Sequence, residues 1–222
     1  MGALRLHAIA IDEARDIVGA DEALSARLRE IARATSPLAA GAEPPGLLRR
    51  LGPIFRRAPQ ALVLAPDEPT PDDLEVLLSG HYVTRERALP TWRLLERLVS
   101  GLAWGSLVVD LGPAERDTVD FELARAGLSS DVGLGRLLSH DARIGVMAPQ
   151  GESACARPHS FALAMAEAWG HAVAEDSPPV RESRHRETIR SISFWLDGMA
   201  QWGRVAAQQG RPVPDLVAFA VR

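Results

Sequence analysis

The two ends of the chain carry the strongest constraint on its fold. Leu4, Leu6, Ala8 and Ala10 alternate with Arg5, His7, Ile9 and Ile11, the period of a strand with one well-buried face. Near the other end, Gly210 and Pro212 break the chain before the apolar run Leu216 to Val221, which reads as a second strand. Strands at both ends with helical patterns between them predict one sheet in which the first and last strands pair. The expected class is therefore α+β, a single domain over residues 1–222, with a small mixed or antiparallel sheet packed against helices.

Between the two strands, helix signals are unevenly spaced. Asp12 reads as the cap of a short helix, and Asp21 as the cap of another reaching about Ala34, with Leu24, Leu28 and Ile31 on one stripe. Ser36 to Gly46, with Pro37, Gly41, Pro44 and Pro45, reads as a loop, and Leu47 to Arg57 as a helical stretch broken at Gly52-Pro53. Thr70-Pro71-Asp72-Asp73 supplies a cap, a first-turn proline and two acids, so it starts a helix that ends at Gly80. A further helix is expected from Leu89 to Leu102, and a short strand over Leu107 to Leu111.

The stretch from Gly112 to Gln150 is the least patterned. Phe121 to Ala126 and Leu134 to Leu138 suggest single helical turns, and Ile144 to Met147 a strand. Pro158 opens a helix through Trp169, Glu175 to His185 reads as a hinge-like linker, and Glu187 to Gln209 forms the longest helix.

Composition removes whole classes of chemistry. All 25 basic residues are Arg, so Schiff-base, P-loop and general-base lysines are excluded. A net charge of −4 argues against a nucleic-acid partner, which needs a basic face. The single Cys155 excludes an internal disulfide and any multi-cysteine metal site. No apolar run approaches bilayer length, and the first residues lack a signal-peptide core, so the expectation is a cytoplasmic protein with no membrane partner.

No constellation of reactive residues stands out, and the expected cofactor and metal complements are none. The six histidines show no zinc-binding spacing, and Glu167, His171 and Glu175, although four apart, read as an exposed ion-paired face. His140-Asp141 reads as a polar loop, and Gly133 to Ser139 as a turn without dinucleotide spacing. Cys155, near Arg157 and His159 in an expected loop before a helix, is a candidate thiolate. Arg49, Arg50, Arg56 and Arg57 form one arginine cluster, and Arg181, Arg184, Arg186 and Arg190 a second, ion-paired one. Trp195 and Trp202 are core-spaced on the long helix, Trp202 near its edge and able to wall a pocket.

Two stretches carry a family resemblance. Leu77 to Trp104 pairs a helix ending in a glycine turn with an aromatic-bearing helix. Ile189 onward places Trp195-Leu196 on the last helix, ahead of an apolar final strand. Together with the opening strand and the Gly19-Ala20-Asp21-Glu22 turn, these segments resemble the YfbM-like proteins over about half the chain. The resemblance implies an α+β domain and offers no catalytic residues to carry over.

The leading expectation is a binding, accessory or immunity-type protein that acts through protein–protein contact. The alternative is a cofactor-independent enzyme or small-molecule-binding protein of specialised metabolism, with a pocket between the C-terminal helix and the sheet. The polar groups assigned to that pocket are His81, Tyr82, Arg85, His140 and His159, with Trp202 as an aromatic wall.

Overall fold

The computed structural model describes residues 2–35, 67–174 and 177–221. The Ser36–Gly46 loop, the Leu47–Arg57 stretch with its four arginines, and Glu175 lie outside them. Four strands form one antiparallel sheet: β1 (Ala3–Ile9), β2 (Gly105–Asp110), β3 (Glu152–Arg157) and β4 (Asp215–Val221), in the order β2-β1-β4-β3. The first and last strands pair at the centre, Leu6 opposite Ala218 and His7 opposite Val217. The fold is the expected α+β domain, with the N- and C-terminal strands packed against helices.

Helices cover both faces of the sheet. One face, carrying Leu4, Leu6, Ala8, Leu216 and Ala218, packs on α5 (Pro113–Arg125), α6 (Leu134–Leu137), α7 (His159–Ala174), α8 (Pro178–Arg181) and α9 (Arg186–Gln208). The opposite face, carrying Ile9, Val217 and Phe219, packs on α1 (Ile11–Arg15), α2 (Glu22–Thr35), α3 (Pro71–Leu78) and α4 (Ala88–Leu102). The reading of β1 as buried on one face only is thereby corrected, because His7 and Ile9 are as buried as Leu6. Alternation with a polar residue does not expose that residue when a second helical layer lies over it.

Helix starts follow their caps where the cap is local. Thr70 and Asp73 complete a capping box at α3, and Gly80 ends the turn after it with φ 67°. Asp21 accepts the Leu24 N–H at α2, as expected. Asp12, in contrast, lies inside α1; the acceptor for the Ile11 N–H is Asp215, 2.9 Å away at the head of β4. Asp215 also takes the His159 N–H at 3.1 Å, so one carboxylate serves the starts of two helices from a third element.

The region read as least patterned holds two corrections, and the stretch just after it a third. α5 spans thirteen residues where a single turn was expected. Ile144–Met147 is not a strand. β3 instead occupies Glu152–Arg157, which the sequence presented as loop. Its outer edge is met by an isolated bridge between Asp141 and Cys155. Within the expected linker, Pro178–Arg181 forms a helical turn with a proline at its start.

Among the described residues, no helix is long and apolar enough to cross a membrane.

Candidate functional site

A cavity of about 770 Å³ opens where the α3–α4 connection meets the segment between α6 and β3. Its apolar lining comes from Val18, Leu77, Val83, Leu89, Val146 and Met147. Its polar lining is His81, Tyr82, Arg85 and Gln150, the first three supplied by the short connection after Gly80. That connection is placed by its two ends: the α3 C-terminus, where the Gly19 N–H bonds the Leu77 carbonyl at 3.1 Å, and Arg87, which binds Asp73 through two guanidinium nitrogens.

The electrostatics of the two neighbouring arginines differ. Arg87 is neutralised by the buried Asp73 carboxylate. Burial alone would raise the Asp73 pKa, but hydrogen bonds from Arg87, the Thr70 N–H and the Thr70 hydroxyl outweigh it and hold the carboxyl below its ordinary value. Arg85 is exposed and forms no ion pair with a described residue. His81 is exposed and held through Nδ1 to the Ser79 hydroxyl at 2.8 Å. Tyr82 is 78% exposed and Met147 73% exposed. The cleft therefore offers an apolar floor beneath an uncommitted guanidinium, a phenol and a thioether.

The other sequence-assigned residues lie elsewhere. His140 is exposed, its Nδ1 3.2 Å from the Arg157 guanidinium beside β3. His159 is half-buried at the start of α7, its Nδ1 2.7 Å from the Pro214 carbonyl, and it ties that helix to β4. Trp202 borders a shallow groove of about 610 Å³ between α9 and β2, with Leu107, Phe194 and Trp195. The groove beside the C-terminal helix and the His81–Tyr82–Arg85 group are thus separate places, and His140, His159 and Trp202 do not converge with that group. Trp202 lies across two glycines: a Cβ on Gly105 would meet its ring at 2.4 Å and one on Gly198 at 2.7 Å.

Cys155 is buried in β3, its thiol 3.1 Å from the Leu138 carbonyl. The expected loop thiolate is therefore corrected, since a thiol enclosed in the sheet is inaccessible as a nucleophile. Among the described residues, no group of three or more His, Cys, Asp or Glu side chains gathers to hold a metal ion.

A second cavity of about 420 Å³ lies against the other side of the same connecting segment. It is lined by Trp92, Asp141, Arg143, Ile144, Ser153 and Ala154, with Gly145 to Ala148 shared between the two cavities. Sequence reading missed this wall because Ile144–Met147 looked like a strand. Gly145 inside that run, with Pro149 and Gly151 after it, were the available loop signals.

No family model matches the chain, and neither a curated protein nor a solved structure matches it.

Proposed function

We propose that this protein works by binding, through the cleft formed by His81, Tyr82, Arg85 and the Val146–Gln150 segment, and that its occupant is a surface element of a protein partner. The carrying observation is the pairing of an exposed Tyr82 and an exposed Met147 on one apolar cavity beside an Arg85 with no ion pair among the described residues. Tyr, Met and Arg are the residue types enriched in partner-binding surfaces, where a rigid ring or adaptable thioether covers area and a guanidinium fixes orientation. An apolar partner side chain fills the floor while a partner carboxylate meets Arg85. An accessory or immunity-type role fits this mode of action. Kinship with the YfbM-like proteins belongs to the same proposal and is supported by Leu77–Trp104 and the C-terminal helix-to-strand pattern.

The test is a photo-crosslinking amino acid at Met147 in cells expressing the full chain at native level, with Phe194 as the control position. A discrete adduct at Met147 that disappears with Arg85→Glu is expected. An absent adduct, or one indifferent to Arg85→Glu, removes the reading.

The cavity volume favours a second reading, because about 770 Å³ falls in the range of small-molecule sites. An amphipathic carboxylate then takes the place of the partner side chain. Native mass spectrometry of gently purified protein separates the two, showing a retained small mass only in the second case.

A further inference from the structure

The two edges of the sheet differ in what lies along them. Along β3, the 140–142 segment takes outer hydrogen bonds: the Ala142 N–H donates to the Ala154 carbonyl at 3.0 Å, and the Ala156 N–H to the His140 carbonyl at 3.1 Å. Along β2, no described residue pairs with the outer edge, since the strand partner of β2 is β1. Open edges are ordinarily blunted by charge, by proline or by a bulge. β2 carries neither charge nor proline before its last residue, Asp110.

Apolar surface flanks that edge on both faces of the sheet. On the α9 face, Phe194 is 82% exposed and borders the groove of about 610 Å³ with Leu107, Trp195 and Trp202. On the α4 face, Val108 is 64% exposed, on the same side of the strand as Ser106, whose hydroxyl meets Ser100 of α4. The two exposed residues lie at one level. The Trp202 ring covers Gly105 while Phe194 and Trp195 lie beside Leu107, so α9 runs antiparallel to β2 and Phe194 is level with the middle of the strand.

The charges beside Phe194 are self-complementary. Arg190 and Asp197 lie four residues before it and three after it, seven apart and therefore on one side of the helix. Arg190 also holds Glu187 at 3.8 Å, an exposed pair within its own helix. When two copies of α9 pack antiparallel about a two-fold axis at Phe194, each Arg190 meets the Asp197 of the other copy. The six-residue edge is about 20 Å long, and with helical layers about 10 Å away on either face it presents roughly 600 Å² per copy. Two such strips bury about 1,200 Å², which reaches the lower bound for a stable interface.

We propose that a second copy of this chain docks on this face. β2 pairs antiparallel with β2 of the second copy, joining two four-stranded sheets into one of eight strands, and the Phe194 of each copy packs into the groove of the other. The surface is separate from the cleft at His81–Arg85 and does not rest on the function proposed for it.

The test is sedimentation velocity of the full chain over a range of concentration. A dimer of about twice 23.9 kDa is expected, with its dissociation constant raised at least tenfold by Phe194→Asp and by Val108→Lys. Both side chains are exposed, so both variants should keep the melting temperature of the dissociated wild type. Arg190→Glu and Asp197→Arg should each weaken the dimer alone, and an equimolar mixture of the two variants should restore it. In the mixed dimer one copy carries both negative charges and the other both positive, a rescue that a structural effect on α9 does not produce. A photo-crosslinker at Phe194 should accordingly capture only this chain, whether or not Arg85 is substituted. A monomer at about 100 μM overturns the proposal. So does a dimer indifferent to both Phe194→Asp and Val108→Lys, a mixture no more associated than its components, or capture of a different protein at Phe194.

Discussion

The buried imidazole of His7 makes the stability of this fold depend on pH in a way that one substitution isolates. His7 lies in the central strand with its Nδ1 2.9 Å from the Ser106 hydroxyl, its ring edge-on to Phe219, and its Nε2 without a partner. Burial, reinforced by the Arg5 charge, lowers its pKa from 6.5 to about 4. Because the unfolded chain takes up a proton at a higher pH than the folded one, stability is complete above pH 6.5 and is lost as pH falls toward 4. From pH 7 to pH 4.5 the loss from this group alone is about 2.5 kcal/mol. His7→Leu removes the titration while keeping an apolar side chain of similar size. The Ser106 hydroxyl is not orphaned, since Ser100 lies 3.1 Å from it. Urea unfolding at the two pH values should show the wild type losing about 2.5 kcal/mol more than His7→Leu. Parallel losses in both proteins would falsify the account, because acid sensitivity would then come from other groups.

Three further outcomes follow from contacts described above. Gly105→Ala should destabilise by about 1–3 kcal/mol and shift tryptophan emission, because the new methyl displaces the Trp202 ring; unchanged emission and melting would refute the close approach. Asp215→Ala leaves the first N–H groups of α1 and α7 without their acceptor, and a loss of about 1–3 kcal/mol is expected in denaturant titration. Asp73→Asn removes the Asp73 charge that Arg87 binds and weakens the capping box, for a loss of about 2 kcal/mol at pH 7. That difference from wild type should shrink in acid, as the Asp73 carboxyl itself becomes protonated, and a pH-independent difference would count against the ion pair.

What was legible in the sequence was whatever is encoded locally. The Thr70 capping box, Gly80, the α9 stripe and the alternation of β1 each place an element from its own residues. β3 escaped because Glu-Ser-Ala-Cys-Ala-Arg has no β-branched or aromatic residue; its strand character comes from pairing with β4. α5 escaped because its buried residues are only Arg116, Val119 and Leu123, too few to draw a stripe, although Gly112-Pro113 marked its start. In the site, His81, Tyr82 and Arg85 were singled out together because they are five residues from end to end. Their partners across the cleft come from the 145–150 segment, some sixty residues onward, and no local pattern announces that meeting. Trp92 falls inside the expected Leu89–Leu102 helix and is buried there; that its indole N–H has no acceptor among the described residues is a property of the surroundings that a sequence does not display.

The placement of β1 and β4 side by side at the centre of the sheet also governs how the chain is made. Each is the inner neighbour of the other, yet their synthesis is separated by roughly two hundred residues, about 10–40 s at ordinary elongation rates. Until β2 is made, about a hundred residues later, the first strand has neither sheet neighbour, and from then until β4 emerges its other edge stays bare. The sheet completes only when β4 is released into the gap between β1 and β3. Folding is therefore a closing event of high contact order, and the nascent β1 edge is the point at which a chaperone, or another nascent copy, competes with the native partner.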